Sequence, residues 1–337
     1  MIAVSWRRLT GGRSVRDQRR RTLVACSGGA DSSALLIVLS RAGAAGSVVA
    51  GHVRHDMRPP EEAMADRDST RNLAERLGVP FVEGQVSVRG LPGNAEGLSR
   101  RRRYEELARL ASESGCPYIA TGHHADDQLE TVLMRLLRGA GPGGMAGIAR
   151  TRRLNGGDPP RRVVRPLLGV TRSQTESVCR EAGWTWVEDA TNADRSGLRS
   201  ALRMEVLPAL RALNPAVARK AVEAADLCRA AWEVVQARTA ELDGRKSISG
   251  GVPAWTRSVL REYPPVVVAE ALRRAIILVS GGQARDRITR RSLSAVIRAV
   301  RNGSGETRIF QWRGAAVVVE ADRVVVRGGS VREMSGS

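Results

Sequence analysis

Acid, cysteine and lysine are all scarce in this chain, and each shortage excludes something. Four cysteines (Cys26, Cys116, Cys179, Cys228) stand far apart in 337 residues and form no CxxC pair. That spacing argues against a zinc site or an iron–sulfur cluster and for reduced thiols. No apolar run approaches the ~20 residues needed to cross a bilayer, and the opening MIAVSWRRLTGG lacks the apolar stretch of a signal peptide. A cytoplasmic protein with no membrane partner is expected. Acids number 35 against 54 basic residues, giving a net charge of +19. Only Lys220 and Lys246 are lysines, and so great a use of arginine is what a biased genome produces. The excess of positive charge is not explained that way, and its first candidate partner is nucleic acid.

What is present centres on Thr22 to Leu39, TLVACSGGADSSALLIVL. A short strand passes through Ser27-Gly28-Gly29 into an apolar helix beginning near Asp31. A strand that turns through glycines into a helix N-terminus makes an anion site, because backbone N–H groups are unpaired there and the helix dipole favours negative charge. No lysine follows the glycines, so this is not a Walker loop, and GxGxxG spacing is absent as well. A plain Ser/Gly turn between core elements would explain two glycines. It does not explain an aspartate just inside the helix and flanked by serines. Asp31 beside bound phosphate would be repelled unless a cation lay between them, which implies Mg²⁺.

From Thr22 to about residue 125, strand-like runs (22–26, 47–53, 79–83, 117–121) alternate with helical ones (31–42, 61–77, 95–114). That alternation predicts an α/β fold with a parallel, Rossmann-like sheet covered on both faces, with ligands at the carboxyl ends of its strands. Residues 1–21 read as a basic arm or short helix, and 139–162 as a long Gly-, Pro- and Arg-rich loop, mobile before substrate binds. Helices follow at 171–182, 198–212 and 216–238. The last part is mostly helical (267–279, 287–301) and ends in strand runs, with a small β-hairpin turning at Ala321-Asp322. The division is an arm (1–21), a first domain (22–215) and a C-terminal domain (216–337).

The strand at 117–121 runs out into GHHADDQLETVLMRLLRG. Asp127 and Glu130, three apart, share a helix face. They can bind Mg²⁺, act as a base, or hold an ammonium group, while an acidic first turn complementing the helix dipole is the bland alternative. That alternative suffices for Asp126. His123 and His124 have no third ligand spaced nearby and suit a neutral lining of a nucleotide pocket better than a metal site. Four consecutive arginines, Arg100 to Arg103, point all round their helix, so at least one faces inward or toward a ligand.

The SGGADS loop resembles that of the N-type ATP pyrophosphatases (PP-loop enzymes). The full set SGGADS, GHVRHDMR, RRRRYEEL, GHHADDQLETVLMRLLRGAGPGGMAGI, RPLL and WVEDATNADRSGLRSALRMEVLPAL resembles the tRNA(Ile)-lysidine synthetase family over about residues 22–215. The C-terminal hundred residues resemble that family's tRNA-binding domain only in length and rough pattern, and no counterpart of the longer members' second C-terminal domain is expected in them.

The resemblance implies a ligase that uses ATP and Mg²⁺ to join free L-lysine to C2 of the wobble cytidine in an isoleucine tRNA with anticodon CAU, through an adenylated base. Ser27, Gly28, Gly29, Ala30, Asp31, Ser32 and Ser33 would bind ATP, with His52 and Val53 at the adenine and Asp31 meeting Mg²⁺ through the phosphates. Asp127 and Glu130 match the lysine-binding carboxylates, and Arg103 an essential arginine. Arg58, Arg199 and Arg203 would meet tRNA or phosphate. The family also suggests a homodimer, though the sequence leaves the oligomeric state open. Asp56, Ala190 and Ser200 depart from the pattern, and the Ser200 change loosens the assignment of Arg199. Two relatives by loop compete: a tRNA thiolase, for which paired cysteines are lacking, and an amide-forming enzyme on a small molecule, which would not need +19. A non-catalytic RNA-binding module is the third reading, against which the intact Asp31, Arg103, Asp127 and Glu130 stand.

Overall fold

The computed structural model describes residues 1–11, 20–44, 46–56, 59–88, 95–154, 160–187, 197–249, 251–302 and 305–329. Arg58 and Ala190, both singled out in the sequence, lie outside the described residues. The chain divides into two compact units: 1–140 with 144–227, and 228–337 with 141–143.

In the first unit, α1 (Ile2–Leu9) precedes the alternation β1 (Thr22–Cys26), α2 (Ala30–Ala42), β2 (Val48–His55), α3 (Pro60–Arg76), β3 (Phe81–Val86), α4 (Ala95–Glu113) and β4 (Tyr118–Thr121). Then come α5 (Ala125–Leu137), the short α6 (Pro142–Met145, whose first two residues are assigned to the second unit), β5 (Thr151–Arg153), β6 (Arg162–Val164) and α7 (Arg172–Glu181). The sheet runs β3-β2-β1-β4-β6-β5, parallel except for β5, which pairs antiparallel with β6. β1 is central and buried on both faces, which is why its sequence after Thr22 is apolar throughout. Its residues alternate faces: Leu23 packs with Val49, Ile119 and α4's Leu107 and Leu110, while Val24 packs with Ala50, Ala120 and α2's Leu35 and Leu39.

The start of the chain is not merely a basic arm. Ile2 and Trp6 of α1 are buried in the core beside α2, and the Trp6 indole N–H donates to Thr22 Oγ1 at 3.1 Å. The stretch read as one long loop holds α6 and the edge strand β5; only 155–159 lies outside the described residues. The expected helix at 198–212 is broken into α8 (Leu198–Ala201), a π turn at Leu202–Val206 and α9 (Leu207–Leu213). Pro208 is the cause: it has no N–H to give, and the Leu207 amide donates five residues back, to Leu202. α10 (Val217–Gly244) begins in the first unit, where Ala218, Ala221 and Val222 pack on Leu129 and Leu207, and ends in the second.

The second unit contains β7 (Ser247–Ser249), β8 (Val252–Thr256), α11 (Arg257–Arg261), α12 (Pro265–Val279), α13 (Arg290–Arg301), β9 (Arg308–Trp312), β10 (Ala315–Val319) and β11 (Arg323–Gly328). The hairpin at Ala321-Asp322 is present, closed by the Glu320 amide on the Arg323 carbonyl at 2.8 Å. It belongs to a larger antiparallel sheet, β7-β8-β11-β10-β9. β8 was hidden by Pro253, which faces Ile248 of β7 and lies outside the register that β8 shares with β11. Trp255, Leu272, Ile276, Val296, Val317 and Val326 form the core of this unit.

Candidate active site

The carboxyl ends of β1, β2 and β4 open into one cavity of about 540 Å³. Gly28, at the tip of the β1–α2 turn, has φ +82°. A Cβ there would lie 3.0 Å from the backbone Cα of Asp66, so only glycine permits this turn. Ser32 fastens it: its hydroxyl donates to the Gly29 carbonyl and accepts the Ser27 N–H, both at 3.1 Å. No side chain caps α2, so its first-turn N–H groups are left for a ligand. Gly122, after β4, comes so close that a Cβ would stand 3.1 Å from the Ser32 backbone nitrogen.

Of the residues expected at ATP, Ser27, Asp31, Ser32, His52 and Val53 line the cavity. Gly28, Gly29, Ala30 and Ser33 do not; Ala30 and Ser33 are buried in the packing of α2. His52 sets its Nδ1 2.9 Å from the Cys26 carbonyl, which requires the proton on that nitrogen and leaves Nε2 as an acceptor. Burial, outweighing that bond, holds its pKa below the usual histidine value. Of the four arginines on α4, Arg100 and Arg103 line the cavity, whereas Arg101 and Arg102 are exposed and pair with Glu105.

Asp31 lies at the end of the phosphate turn. Thr175 of α7 donates to its Oδ1 at 2.5 Å, and Nε2 of His124 lies 3.4 Å from its Oδ2. Burial pushes the Asp31 carboxyl up, but His124, Thr175 and Arg172 together hold it below the usual range. His124 is therefore not the neutral lining residue expected from sequence. It is buried away from the cavity, among Asp31, Asp126 and Asp127. Burial works against its charge, yet these carboxylates raise its pKa to about 9. The Asp127 amide approaches Nδ1 only to 3.4 Å, too long a contact to keep that nitrogen unprotonated against three carboxylates. His123 does line the cavity, and burial keeps it neutral with Nδ1 2.9 Å from the Thr121 hydroxyl. Sequence reasoning missed Thr175; a lone threonine inside RSQTESVC carries no signal of its partner 144 residues away.

Asp126 is structural. It accepts the Arg172 amide at 2.8 Å and pairs with Arg211 at 2.9 Å, tying α5 to α7 and α9. Asp127 lines the cavity and Glu130, 1 % exposed, does not. Arg199 and Arg203, expected at tRNA or phosphate, both pair with Glu130, at 2.8 Å each, and Arg199 also reaches Asp127 at 3.3 Å. These two guanidiniums overcome burial and keep Glu130 ionised. Asp56, one of the departures in sequence, accepts the Val88 amide at 2.9 Å and so ties the end of β2 to the segment after β3.

The described residues contain no cluster of three ligating side chains that would hold a metal alone. Asp31, partly exposed on the cavity wall, does fit a magnesium shared with substrate phosphates, which needs only one or two protein carboxylates. His124 already balances Asp31, so the negative charge of Asp31 alone does not demand a metal.

Residues 6–210 match the model of a PP-loop domain family. The chain is 36 % identical over 305 residues to a tRNA(Ile)-lysidine synthase from Symbiobacterium thermophilum, covering 87 % of this chain and 61 % of that one. It is 37 % identical to the synthase from Deinococcus radiodurans, covering 79 % and 44 %, and 41 % identical to that from Salinispora tropica, covering 68 % and 69 %. The chain thus spans about three-fifths of the length of the first relative, less than half of the second and about two-thirds of the third. Among solved structures, a U34-tRNA thiolase from Methanococcus maripaludis with a [4Fe-4S] cluster is similar in fold, with a TM-score of 0.53 at 16 % identity over 68 % of this chain and 78 % of that one.

Proposed function

Since the chain belongs to the tRNA(Ile)-lysidine synthase family of PP-loop proteins, we propose that it uses ATP to ligate free lysine to C2 of the wobble cytidine of an isoleucine tRNA with anticodon CAU. One observation carries this reading: a single cavity holds both an uncapped helix N-terminus, at Ser27, Asp31 and Ser32, and a carboxylate placed for a cation, Asp127. A phosphate chemistry and an amine chemistry therefore share one space.

In the first step the cytosine O2 attacks the α-phosphorus of ATP. The bond from that phosphorus to the bridging oxygen breaks, and pyrophosphate leaves. The α2 N-terminus, with Ser27 and Ser32, holds the departing charge on preorganised donors, so little reorganisation is needed as it develops. Arg100 and Arg103 supply further positive charge along the same wall. His52 offers Nε2 to a donor on the purine. Asp31 is the residue that would hold a magnesium ion, which would supply charge neutralisation at the phosphates.

In the second step the lysine ε-amine, having lost its proton, attacks C2; the C2–O bond breaks and AMP leaves with that oxygen. Asp127 recognises the ammonium and takes its proton. The net positive charge of the chain favours the tRNA backbone, and the reaction places the protein in the cytoplasm, where tRNA, ATP and lysine meet.

Incorporation of radiolabelled lysine into a CAU-anticodon isoleucine tRNA transcript, with ATP and Mg²⁺, tests this directly. ATP-dependent labelling is expected, with none on the methionine tRNA of the same anticodon. No labelling, alongside intact tRNA-dependent pyrophosphate release, would overturn lysine as the nucleophile.

A further inference from the structure

The two arginines that meet the carboxylates of α5 are not equivalent. Arg203 grips Glu130 with two prongs, Nε to Oε1 at 2.8 Å and Nη2 to Oε2 at 3.2 Å. A planar fork on a carboxylate of 1 % exposure is the geometry of a lasting pair. Arg199 instead bridges: Nε reaches Glu130 Oε2 at 2.8 Å while Nη2 reaches Asp127 Oδ1 at 3.3 Å. Its side chain is 41 % exposed, and both Arg199 and Asp127 line the cavity, which Arg203 and Glu130 do not.

A cation spanning Asp127 and Glu130 stands where the ammonium of an incoming amine would have to go. We propose that Arg199 is an exchangeable internal occupant of the lysine subsite: the ε-ammonium of lysine displaces it from Asp127, while Arg203 remains on Glu130. This rests on the lysine reading given above. The exchange conserves charge, since one cation leaves the carboxylates as another arrives. The contact given up, to Asp127 at 3.3 Å, is the longer of the two that Arg199 makes, and the guanidinium's 41 % exposure screens it and eases its exchange. Arg199 sits on the four-residue α8, just before the π turn, so side-chain rotation alone can release it. The released guanidinium stays in the cavity wall and faces the phosphate chemistry. The carboxylate pair then divides its duties: Asp127 meets the substrate amine, and Glu130 fixes Arg203 and the wall behind it.

Such an occupant lowers the apparent affinity for lysine by the fraction of molecules that hold it. If roughly nine in ten do, the apparent Kd is about tenfold weaker than the intrinsic one. Equilibrium dialysis of radiolabelled L-lysine against the whole chain with ATP measures this. Arg199→Gln removes the competing cation and should tighten lysine binding by about tenfold on that arithmetic. Arg199→Lys restores a competing cation and should bring Kd back toward that of the parent chain. Arg203→Gln, which strips Glu130 of its fixed partner, should weaken binding. A Kd in Arg199→Gln equal to or weaker than that of the parent chain overturns the exchange. Absence of lysine uptake by both the parent chain and Arg199→Gln, with ATP binding intact, would overturn the lysine reading itself.

Discussion

Thr175 Oγ1 donates to Asp31 Oδ1 at 2.5 Å, joining the first turn of α2 to the first half of α7 across 144 residues of sequence. Thr175 is fully buried while Asp31 faces the cavity, and the bond fixes which way the carboxylate faces the phosphate turn. Thr175→Val keeps the shape and removes the hydroxyl. Hydrogen bonds to charged groups contribute about 1.5–3 kcal/mol, and a loss within that range is expected in chemical denaturation. Tyr118 and the tryptophans give the optical signal for that transition. Pyrophosphate release should slow by at least about tenfold, the equivalent of ~1.4 kcal/mol at the transition state. An unchanged release rate would mean that the orientation of Asp31 does not matter to the phosphate step.

The imidazolium of His124 makes a pH prediction whose sign follows from its environment. Its folded pKa, about 9, stands above the ordinary histidine value near 6.5. The stabilisation is therefore fully present below pH ~6.5 and is lost as pH rises through ~9. Over that window unfolding free energy should fall by up to about 1.4 kcal/mol per pH unit. His124→Asn should flatten this alkaline slope and lower stability at neutral pH. On the acid side, the depressed carboxyls of Asp31 and Glu130 stabilise the fold above the ordinary carboxylate range, and that stability is lost as pH falls through their folded pKa values. Denaturation midpoints taken from pH 5 to pH 10 in both proteins check the alkaline slope.

Much of the fold was legible because it rests on local pattern. The alternation of apolar strands and amphipathic helices places β1, β2, β4 and α2 to α4 within a residue or two and β3 within three, and the SGG turn is where glycine chemistry puts it. The site was legible where residue type and spacing decide matters, as at Ser27, Asp31 and Asp127. It was not where long-range contacts decide. Nothing near His124 in sequence says that Asp31 will approach it, so a charged histidine read as neutral. Arg199 and Arg203, expected at tRNA or phosphate from the family pattern, pair with Glu130 some 70 residues earlier, a contact that sequence spacing does not reveal. In the second unit, Pro253 masks a strand that only its pairing with β11 reveals.

Arg257 holds the second unit's helix end and turn together. Its buried guanidinium donates to the carbonyls of Ala299 at 2.7 Å and Val300 at 3.1 Å, and to those of Glu320 and Ala321 at 3.2 Å each. The Asn302 carbonyl accepts from it as well. These are the orphan carbonyls at the C-terminus of α13 and the turn between β10 and β11. Arg257→Met removes this donor from all five; the Val300 carbonyl keeps the Arg261 guanidinium at 3.1 Å, while the Ala299 carbonyl loses it in a buried setting, at about 1–3 kcal/mol. Hydrogen exchange should accelerate across α13 and the β10–β11 hairpin, with β1 to β4 unaffected. Arg257→Lys should rescue little, because one ammonium with three protons cannot span five carbonyls.

Asp127 and Glu130 should fail in different ways when neutralised. Asp127→Asn keeps a polar group in the cavity and an oxygen for the His124 amide; it loses a partial partner of Arg199 and one of the three carboxylates beside His124, while Asp31 and Asp126 stay in place. Lysine transfer should drop by at least about a hundredfold, the lower end of what a positioned proton-transfer group contributes. ATP–pyrophosphate exchange in the presence of tRNA should change far less. Glu130→Gln is a different injury. It leaves Arg203 beside a neutral amide in a buried setting, and breaking a buried pair by removing one partner costs about 3–5 kcal/mol; partial exposure of Arg203 reduces that. Both steps should therefore fall together, with a lowered melting temperature. Single-turnover assays that separate adenylate formation from lysine transfer distinguish the two patterns, and equal loss of both steps in Asp127→Asn would remove it from the amine's reaction.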